Sequence, residues 1–321
     1  MLSTSQQTIY DSARTSAALY RIPDAGYLTI QGEHQNDYIQ RQTTNDIRDL
    51  TPDRALLTVL TSATARMLDV WRLIREPDGI GAITLPGRGA STTKYLQSRI
   101  FFMDRVTVQH RSADFAQFML VGPAAPEVLR GLGISDPPGP DALLSVSVDG
   151  IPIRVLGPHP AVSLGYHLIV PAASAEAFSA RLSGVVALSP ELYDLLRIEA
   201  GLPASGHELT DDFTPLEANL DAAISDRKGC YTGQEVIARQ VNYDKITRRL
   251  VGLRLEHPVN LGSAVLVEGR SVGQITSAAE SPRWGAVALA VLRRPHHEPG
   301  TPVTVAGDSP TAGTVTALPL A

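Results

Sequence analysis

Lys228-Gly229-Cys230-Tyr231-Thr232-Gly233-Gln234-Glu235 contains the single cysteine of a 321-residue chain. Two cations, Arg227 and Lys228, precede the thiol, and Gly229 and Gly233 bracket it. Neighbouring positive charge favours thiolate over thiol. Glycines accept left-handed backbone angles and let the main chain approach a ligand closely. Gln234 to Arg239 reads as a short helix, so the sulfur would stand near a helix N-terminus, which also stabilises an anion. The competing reading is a small buried hydrophobe, as most free cysteines are.

Downstream of this segment, from about Thr247, short strands dominate: Arg249 to Leu255, Ala264 to Val267, Val272 to Ser277, Ala286 to Leu292 and Val303 to Val305. Glu268-Gly269-Arg270 is a hairpin turn between two of them. The pattern predicts a small all-β barrel or sandwich. Upstream lies the clearest helix, Pro190 to Ala200. Ser189 is its N-cap, Pro190 suits the first helical position, Gly201 suits a left-handed C-terminal position and Pro203 prevents continuation. Leu192, Leu195 and Leu196 form its apolar stripe, and Glu199 is the next residue on that stripe. An inward carboxylate must be paired, hydrogen-bonded or open to a cavity. A salt bridge to Arg197, or a helix end that reaches solvent, would account for it without function.

The first half alternates short helices and strands, as an α+β domain does. Helices are predicted at Ala13 to Tyr20, Glu33 to Gln42, Ala90 to Arg99, Ala124 to Gly131 and Ala173 to Leu182. Strands are predicted at Gly26 to Ile30, Leu56 to Leu60, Met67 to Ile74, Ile80 to Leu85, Arg105 to His110, Gln117 to Val121, Leu143 to Val148, Ile151 to Leu156 and Leu164 to Val170. Asp136 to Asp141, with three prolines and a glycine, is a loop or internal boundary. Length favours more than one domain. The divisions expected are a region 1–246, with internal boundaries near 50 and 140–190, and a C-terminal β domain 247–321.

Composition narrows the function classes. Hydrophobic content of 43% and charged content of 19% describe a globular protein, and a net charge of -5 argues against nucleic acid as a main partner. No apolar run reaches membrane-span length. One cysteine excludes an internal disulfide and multi-thiolate metal sites and suits a reducing compartment, so cytoplasm is the expected location. No metal site is expected; His296-His297 lacks ligand-spaced partners and reads as a solvated turn. Leu85-Pro86-Gly87-Arg88-Gly89-Ala90 lacks the lysine of a phosphate loop. Thr43-Thr44-Asn45-Asp46 reads as capping and turn chemistry. Asp69, between Leu68 and Val70 in an apolar run, falls on a polar face by alternation yet is a candidate for partial burial.

The Lys228 to Glu235 segment is similar to the signature of the YgfZ family of folate-binding proteins, relatives of the aminomethyltransferase (T-protein) of glycine cleavage. Leu196 to Gly201, Gly206-His207-Glu208-Leu209, Pro215 to Asn219 and Arg248 to Leu253 also resemble that superfamily, as do Gly32, Tyr38-Ile39-Gln40 and Thr44-Asn45-Asp46. The resemblance implies three subdomains in a clover around a central channel that receives tetrahydrofolate, followed by the β-barrel. Glu199 would pair with the amino and ring N–H groups of the pterin edge. Arg239 and Arg249 would meet the carboxylate tail. Tyr231 and Tyr243 would stack on the ring. Asn45, Lys228 and Gln234 belong to the cofactor-binding set that the family implies. T-proteins carry a Gly-Gly pair followed by two adjacent acids, one catalytic. Here Ala65-Arg66-Met67-Leu68-Asp69-Val70 retains one acid and no glycine.

Two functions follow from the resemblance. One is a folate-binding accessory protein that supports iron–sulfur cluster assembly or repair, acting through Cys230, with iron–sulfur enzymes or assembly factors as partners. The other is a folate-dependent aminomethyl transferase, in which Asp69 would assist proton transfer. A single cysteine cannot hold a four-thiolate cluster.

Overall fold

The computed structural model describes residues 2–243 and 245–320. In chain order it forms α1 (Thr4–Thr15), β1 (Ala18–Arg21), β2 (Gly26–Gln31), α2 (Gln35–Gln42), β3 (Leu56–Thr61), β4 (Met67–Glu76), β5 (Gly79–Thr84), α3 (Gly89–Gln97), β6 (Thr107–His110), β7 (Phe115–Val121) and α4 (Ala125–Gly131). Then come β8 (Leu143–Val148), β9 (Ile151–Leu156), β10 (Gly165–Pro171), α5 (Ala175–Arg181), β11 (Val186–Ala187), α6 (Pro190–Glu199) and α7 (Gln234–Asn242). The last strands are β12 (Arg248–Leu255), β13 (Ala264–Val267), β14 (Arg270–Ser281), β15 (Gly285–Arg293), β16 (Pro302–Val305) and β17 (Thr311–Thr316). Two compact units result: Ile9–Leu188 with Ala222–Gln234, and Met1–Thr8 with Ser189–Asp221 and Glu235–Ala321. No helix among the described residues is long and apolar enough to cross a membrane.

The unit built on Ile9–Leu188 contains two sheets. One has strand order β3-β4-β5-β2-β6 and the other β11-β1-β7-β10-β9-β8. Every residue of β3 and β5 is buried, because that sheet is covered on both faces. One face packs Leu28, Ile30, Trp71 and Leu73 against Tyr38, Ile39 and Leu96 of α2 and α3. The other places Tyr27, Ile74 and Ile83 against Leu143, Leu156 and Ile169 of the second sheet. The second sheet has its own core, where Phe118, Leu120, Val155 and Leu168 meet Leu129 of α4 and Phe178 of α5.

A polar cluster is buried between these sheets. Arg72 donates from Nη2 to the Gly157 carbonyl at 2.9 Å and lies 3.6 Å from Asp141 Oδ1. His167 Nε2 lies 2.9 Å from Gln117 Oε1, an acceptor, so this nitrogen carries the proton. Burial, helped by the Arg72 charge, pushes the His167 imidazole down to about 3. An unfolded histidine binds its proton near 6.5, so His167 contributes stability that is complete above that pH and is lost as pH falls toward 3. The maximum slope is about 1.4 kcal/mol per pH unit. Asp69 has the opposite sign: burial raises its carboxyl to about 6, so the folded state takes up that proton first as pH falls from 6 toward the unfolded value. Between these limits the two groups offset each other. Urea denaturation at pH 7 and pH 5 separates them: His167→Gln flattens the acid loss relative to the parent, and Asp69→Asn steepens it. Identical slopes in all three proteins would contradict this assignment.

The other unit carries the barrel. β12-β15-β14-β13-β16-β17 close on themselves through antiparallel pairs, which leaves no open sheet edge. Val251, Leu253, Val265, Ile275, Leu292 and Val315 are among its interior residues. Val267 pairs with Arg270 across Glu268-Gly269, both at positive φ (50° and 76°), which makes a two-residue hairpin of the primed type.

The sequence-based elements need local corrections, and the two-residue β11 was not predicted. Ala13 to Tyr20 is not one helix: α1 ends at Thr15, and Ala18–Arg21 is a strand paired with β7 and β11. Pairing on both edges outweighs the helical preference of its alanine. β17 was not predicted. Its alternating burial is carried by small and hydroxylated residues, and only Thr311 and Val315 point inward.

Candidate functional site

Cys230 is a free, exposed cysteine. That removes the buried-hydrophobe reading of the thiol. The segment carrying it is stitched along its length to the corner between α2 and β3. Ser225 N donates to the Thr44 carbonyl at 3.1 Å. Thr44 Oγ1 donates to the Ala223 carbonyl at 2.6 Å, and Asn45 Nδ2 to that of Ala222 at 3.2 Å. Lys228 Nζ donates to the Thr43 and Asn45 carbonyls at 2.5 and 2.8 Å. Beyond the cysteine, Thr232 N donates to the Arg41 carbonyl at 3.2 Å, and Thr61 Oγ1 to the Thr232 carbonyl at 2.6 Å. Gly233 closes the segment at φ +86°, where a Cβ would stand 2.6 Å from the Ser62 carbonyl oxygen. Glycine is needed there for both reasons.

This geometry revises one step of the sequence argument. The cations before Cys230 have other partners. The Lys228 ammonium is held by two carbonyls and lies 4.9 Å from the Tyr231 ring centroid. Burial brings it down to about 8, against the pull of Asp46. Arg227 lies 3.8 Å from carboxylate oxygens of Asp49 and Asp226. Lys228 is therefore a tether for the cysteine segment. Gln234 acts on the same segment from the first position of α7, where its Oε1 accepts Tyr231 N at 3.1 Å. Burial pushes the Tyr231 phenol up to about 12. Asn45 is similarly committed: Nδ2 also donates to the Leu57 carbonyl at 2.8 Å, and Oδ1 accepts Asp46 N at 2.9 Å. Lys228, Tyr231, Gln234 and Asn45 thus lie on or against the Cys230 segment, with Lys228 Nζ, Gln234 Oε1 and the Asn45 amide engaged in holding it.

Asp69 is fully buried on β4. Its Oδ1 accepts Val70 N at 2.8 Å and Leu85 N at 3.0 Å, and its Oδ2 accepts Thr92 Oγ1 of α3 at 2.5 Å. Trp71 and Leu73, on the same strand face, pack in the core under α2 and α3. Adjacent residues of a strand point to opposite faces. On the opposite face the neighbour of Asp69 is Val70, and the acid of β4 on that face is Glu76, at the far end of the strand. As placed, Asp69 joins β4, β5 and α3, and none of its surface reaches solvent.

The remaining candidates lie in the barrel-containing unit. Glu199 is buried at the last position of α6. Its Oε1 accepts Ser281 Oγ at 2.6 Å, and Ser281 is fixed in turn by the backbone N–H groups of Arg283 and Trp284. Arg197 is not its salt-bridge partner. The Arg197 guanidinium donates to Asp194 Oδ1 at 2.7 Å, Glu208 Oε2 at 3.0 Å and Ser277 Oγ at 2.7 Å. Ser277 Oγ donates onward to Glu208 Oε1 at 2.6 Å. This network locks the end of α6 to β14, and no periodicity in the sequence revealed it. Arg249 grips Asp221 with two bonds, 2.9 and 3.2 Å, and donates to the Leu216 carbonyl. Arg239 is exposed on α7.

A buried carboxylate with the chemistry of Glu199 suits the amino and ring N–H groups of a pterin. An exposed guanidinium such as Arg239 suits a carboxylate tail. Arg249, Asn45 and Lys228 carry their donors on protein acceptors and would add little to a ligand. Among the described residues no group of three or more His, Cys, Asp or Glu side chains is arranged to hold a metal ion.

Residues 5–228 match the family description GCVT N-terminal domain, and residues 248–320 match the glycine cleavage T-protein C-terminal barrel domain. A chloroplastic Arabidopsis thaliana protein provisionally described as a transferase is 30% identical over 288 residues, 88% of this chain and 67% of the relative. An aminomethyltransferase of Moorella thermoacetica is 31% identical over 312 residues, 88% of this chain and 80% of the relative. The crystal structure of the glycine cleavage system aminomethyltransferase T from Bartonella henselae superposes with a TM-score of 0.87 at 22% identity, covering 98% of this chain and 89% of that one.

Proposed function

Because the chain belongs to the glycine cleavage T-protein superfamily of folate-dependent aminomethyltransferase-like proteins, we propose that it binds a reduced folate and supports iron–sulfur cluster assembly or repair through Cys230. The observation that carries this reading is the contrast between its two candidate reacting groups. Cys230 is exposed on a segment tied down on both sides of the sulfur, whereas Asp69 is sealed in the core with both oxygens occupied. A reacting group must reach its substrate. Only the thiol meets that condition.

Two residues have the chemistry that tetrahydrofolate calls for. Glu199 would accept from the pterin edge while Ser281 holds its orientation, and Arg239 would attract the tail carboxylates. When bound, reduced folate supplies a nucleophilic nitrogen for one-carbon units. The chain supplies no cluster site of its own, because it has one thiolate to offer. Its client would therefore be another protein.

The second reading, an aminomethyl transferase, has the relatives' descriptions in its favour. It also has a carboxyl raised to about 6 at Asp69. The enclosure of that carboxyl weighs against it.

Calorimetry with tetrahydrofolate tests the folate half of the proposal. The parent binds, and Glu199→Gln, which keeps the Ser281 contact but loses the charge, binds roughly 10- to 100-fold more weakly. Absence of heat with the parent would overturn the folate reading. Turnover of aminomethyl-lipoyl protein with tetrahydrofolate, lost in Asp69→Asn, would favour the second reading.

A further inference from the structure

Phe101, Phe102 and Met103 project from the turn between α3 and β6, with 66%, 97% and 69% of their surfaces exposed. They are three of the six large hydrophobic side chains found exposed among the described residues. Such side chains favour burial by roughly 1.5–3 kcal/mol each. A mobile loop could fold them back. This one is closed: Asp104 N donates to the Phe101 carbonyl at 2.9 Å, and Phe101 N donates to Asp104 Oδ2 at 3.1 Å. The Asp104 carboxylate is in turn gripped by Arg41 Nη2, at 2.8 and 2.9 Å. The turn is thus held open with its apolar side chains outward.

Its rim is positive. Arg99 lies 4.8 Å from the Tyr95 ring centroid, and Lys94 stands in the last turn of α3. Asp104, the nearest acid, is neutralised by Arg41, and Arg105 is paired with Glu33. The same Arg41 accepts Thr232 N through its carbonyl, two residues from Cys230. One residue therefore anchors both the apolar tip and the cysteine segment.

We propose that the Phe101–Met103 turn is a docking tip for a partner protein that presents an apolar cleft rimmed by carboxylates, and that it brings this partner to Cys230. The link to Cys230 rests on the function proposed above; the docking itself does not. Phe, Met and Arg are enriched where protein interfaces are fully buried, and a rigid apolar anchor ringed by complementary charge is the pattern of an interface hot spot. A lipid surface fits less well. Stable anchoring to lipid takes more apolar area or more cationic charge than three side chains and two free cations supply, and the whole chain carries -5.

The test places benzoylphenylalanine at position 102 of the full chain and photolyses it in cells. The expected result is a discrete adduct with one acidic protein, identified by mass spectrometry. Its yield falls several-fold in the Arg99→Glu, Lys94→Glu background, whose substitutions lie on the surface. No discrete protein adduct, or an adduct indifferent to the charge reversal, would overturn the proposal. So would co-sedimentation of the parent, but not Phe102→Ser, with phosphatidylserine/phosphatidylcholine vesicles. The functional reading fails separately, when the adduct forms but Cys230→Ala still rescues cells lacking the protein.

Discussion

Cys230→Ala is expected to abolish the rescue of iron–sulfur enzyme activity in cells that lack this protein, while the purified variant is expected to fold and to bind tetrahydrofolate like the parent. The thiol is exposed, so its removal leaves no cavity and breaks none of the bonds that hold its segment. Those bonds run through backbone atoms of Arg41, Thr43, Asn45 and Thr232 and through the side chains of Thr61 and Lys228. All of them survive the substitution. The effect is then chemical and close to complete, since the chain has no second sulfhydryl to substitute. Asp69→Asn is the companion experiment. It keeps a similar shape in the core and is expected to leave rescue largely intact, because both Asp69 oxygens accept hydrogen bonds inside the core. Rescue retained by Cys230→Ala and lost in Asp69→Asn would reverse the assignment.

Arg197→Met produces the largest expected loss of stability, about 3–5 kcal/mol by urea denaturation. Arg197 and Glu208 are both buried, with 2% and 0% exposure. Removing the guanidinium leaves the Glu208 carboxylate with Ser277 Oγ and Ala204 N as donors, 2.6 and 3.1 Å away. The uncompensated charge, more than the lost contacts, sets the cost. Glu208→Gln added to Arg197→Met therefore recovers part of the loss. A single-variant loss below about 1 kcal/mol would show that water reaches the pair and would remove its role in fixing α6. Because α6 ends at Glu199, the same variant weakens folate binding as a secondary effect.

How far the sequence carried depended on the physics at each position. The α6 helix was legible because its signals are local: Ser189 accepts Leu192 N, Pro190 begins the helix and Gly201 follows it at φ +72°. The barrel strands β12 to β16 were legible from alternation and from the Glu268-Gly269 turn. β17 was missed because two inward residues give almost no hydrophobic signal. β1 was misread because sheet pairing is a long-range effect. At the site, the Cys230 segment was visible in one octapeptide, and the fold class in that segment together with Leu196 to Gly201, Pro215 to Asn219 and Arg248 to Leu253. The fate of its cations was not. That Lys228 turns to carbonyls of Thr43 and Asn45, some 180 residues earlier, is a tertiary fact. So is the enclosure of Asp69 by Thr92 and Leu85. Alternation could say only that Asp69 and Val70 face opposite ways.

The rate at which iodoacetamide alkylates the protein, measured with and without saturating tetrahydrofolate, reads the one thiol in the chain. If Cys230 serves a bound folate, the rate changes several-fold on addition of the ligand, and Glu199→Gln shifts that response to higher folate concentrations. A rate that stays the same at folate concentrations where calorimetry shows full occupancy would separate the thiol from the cofactor.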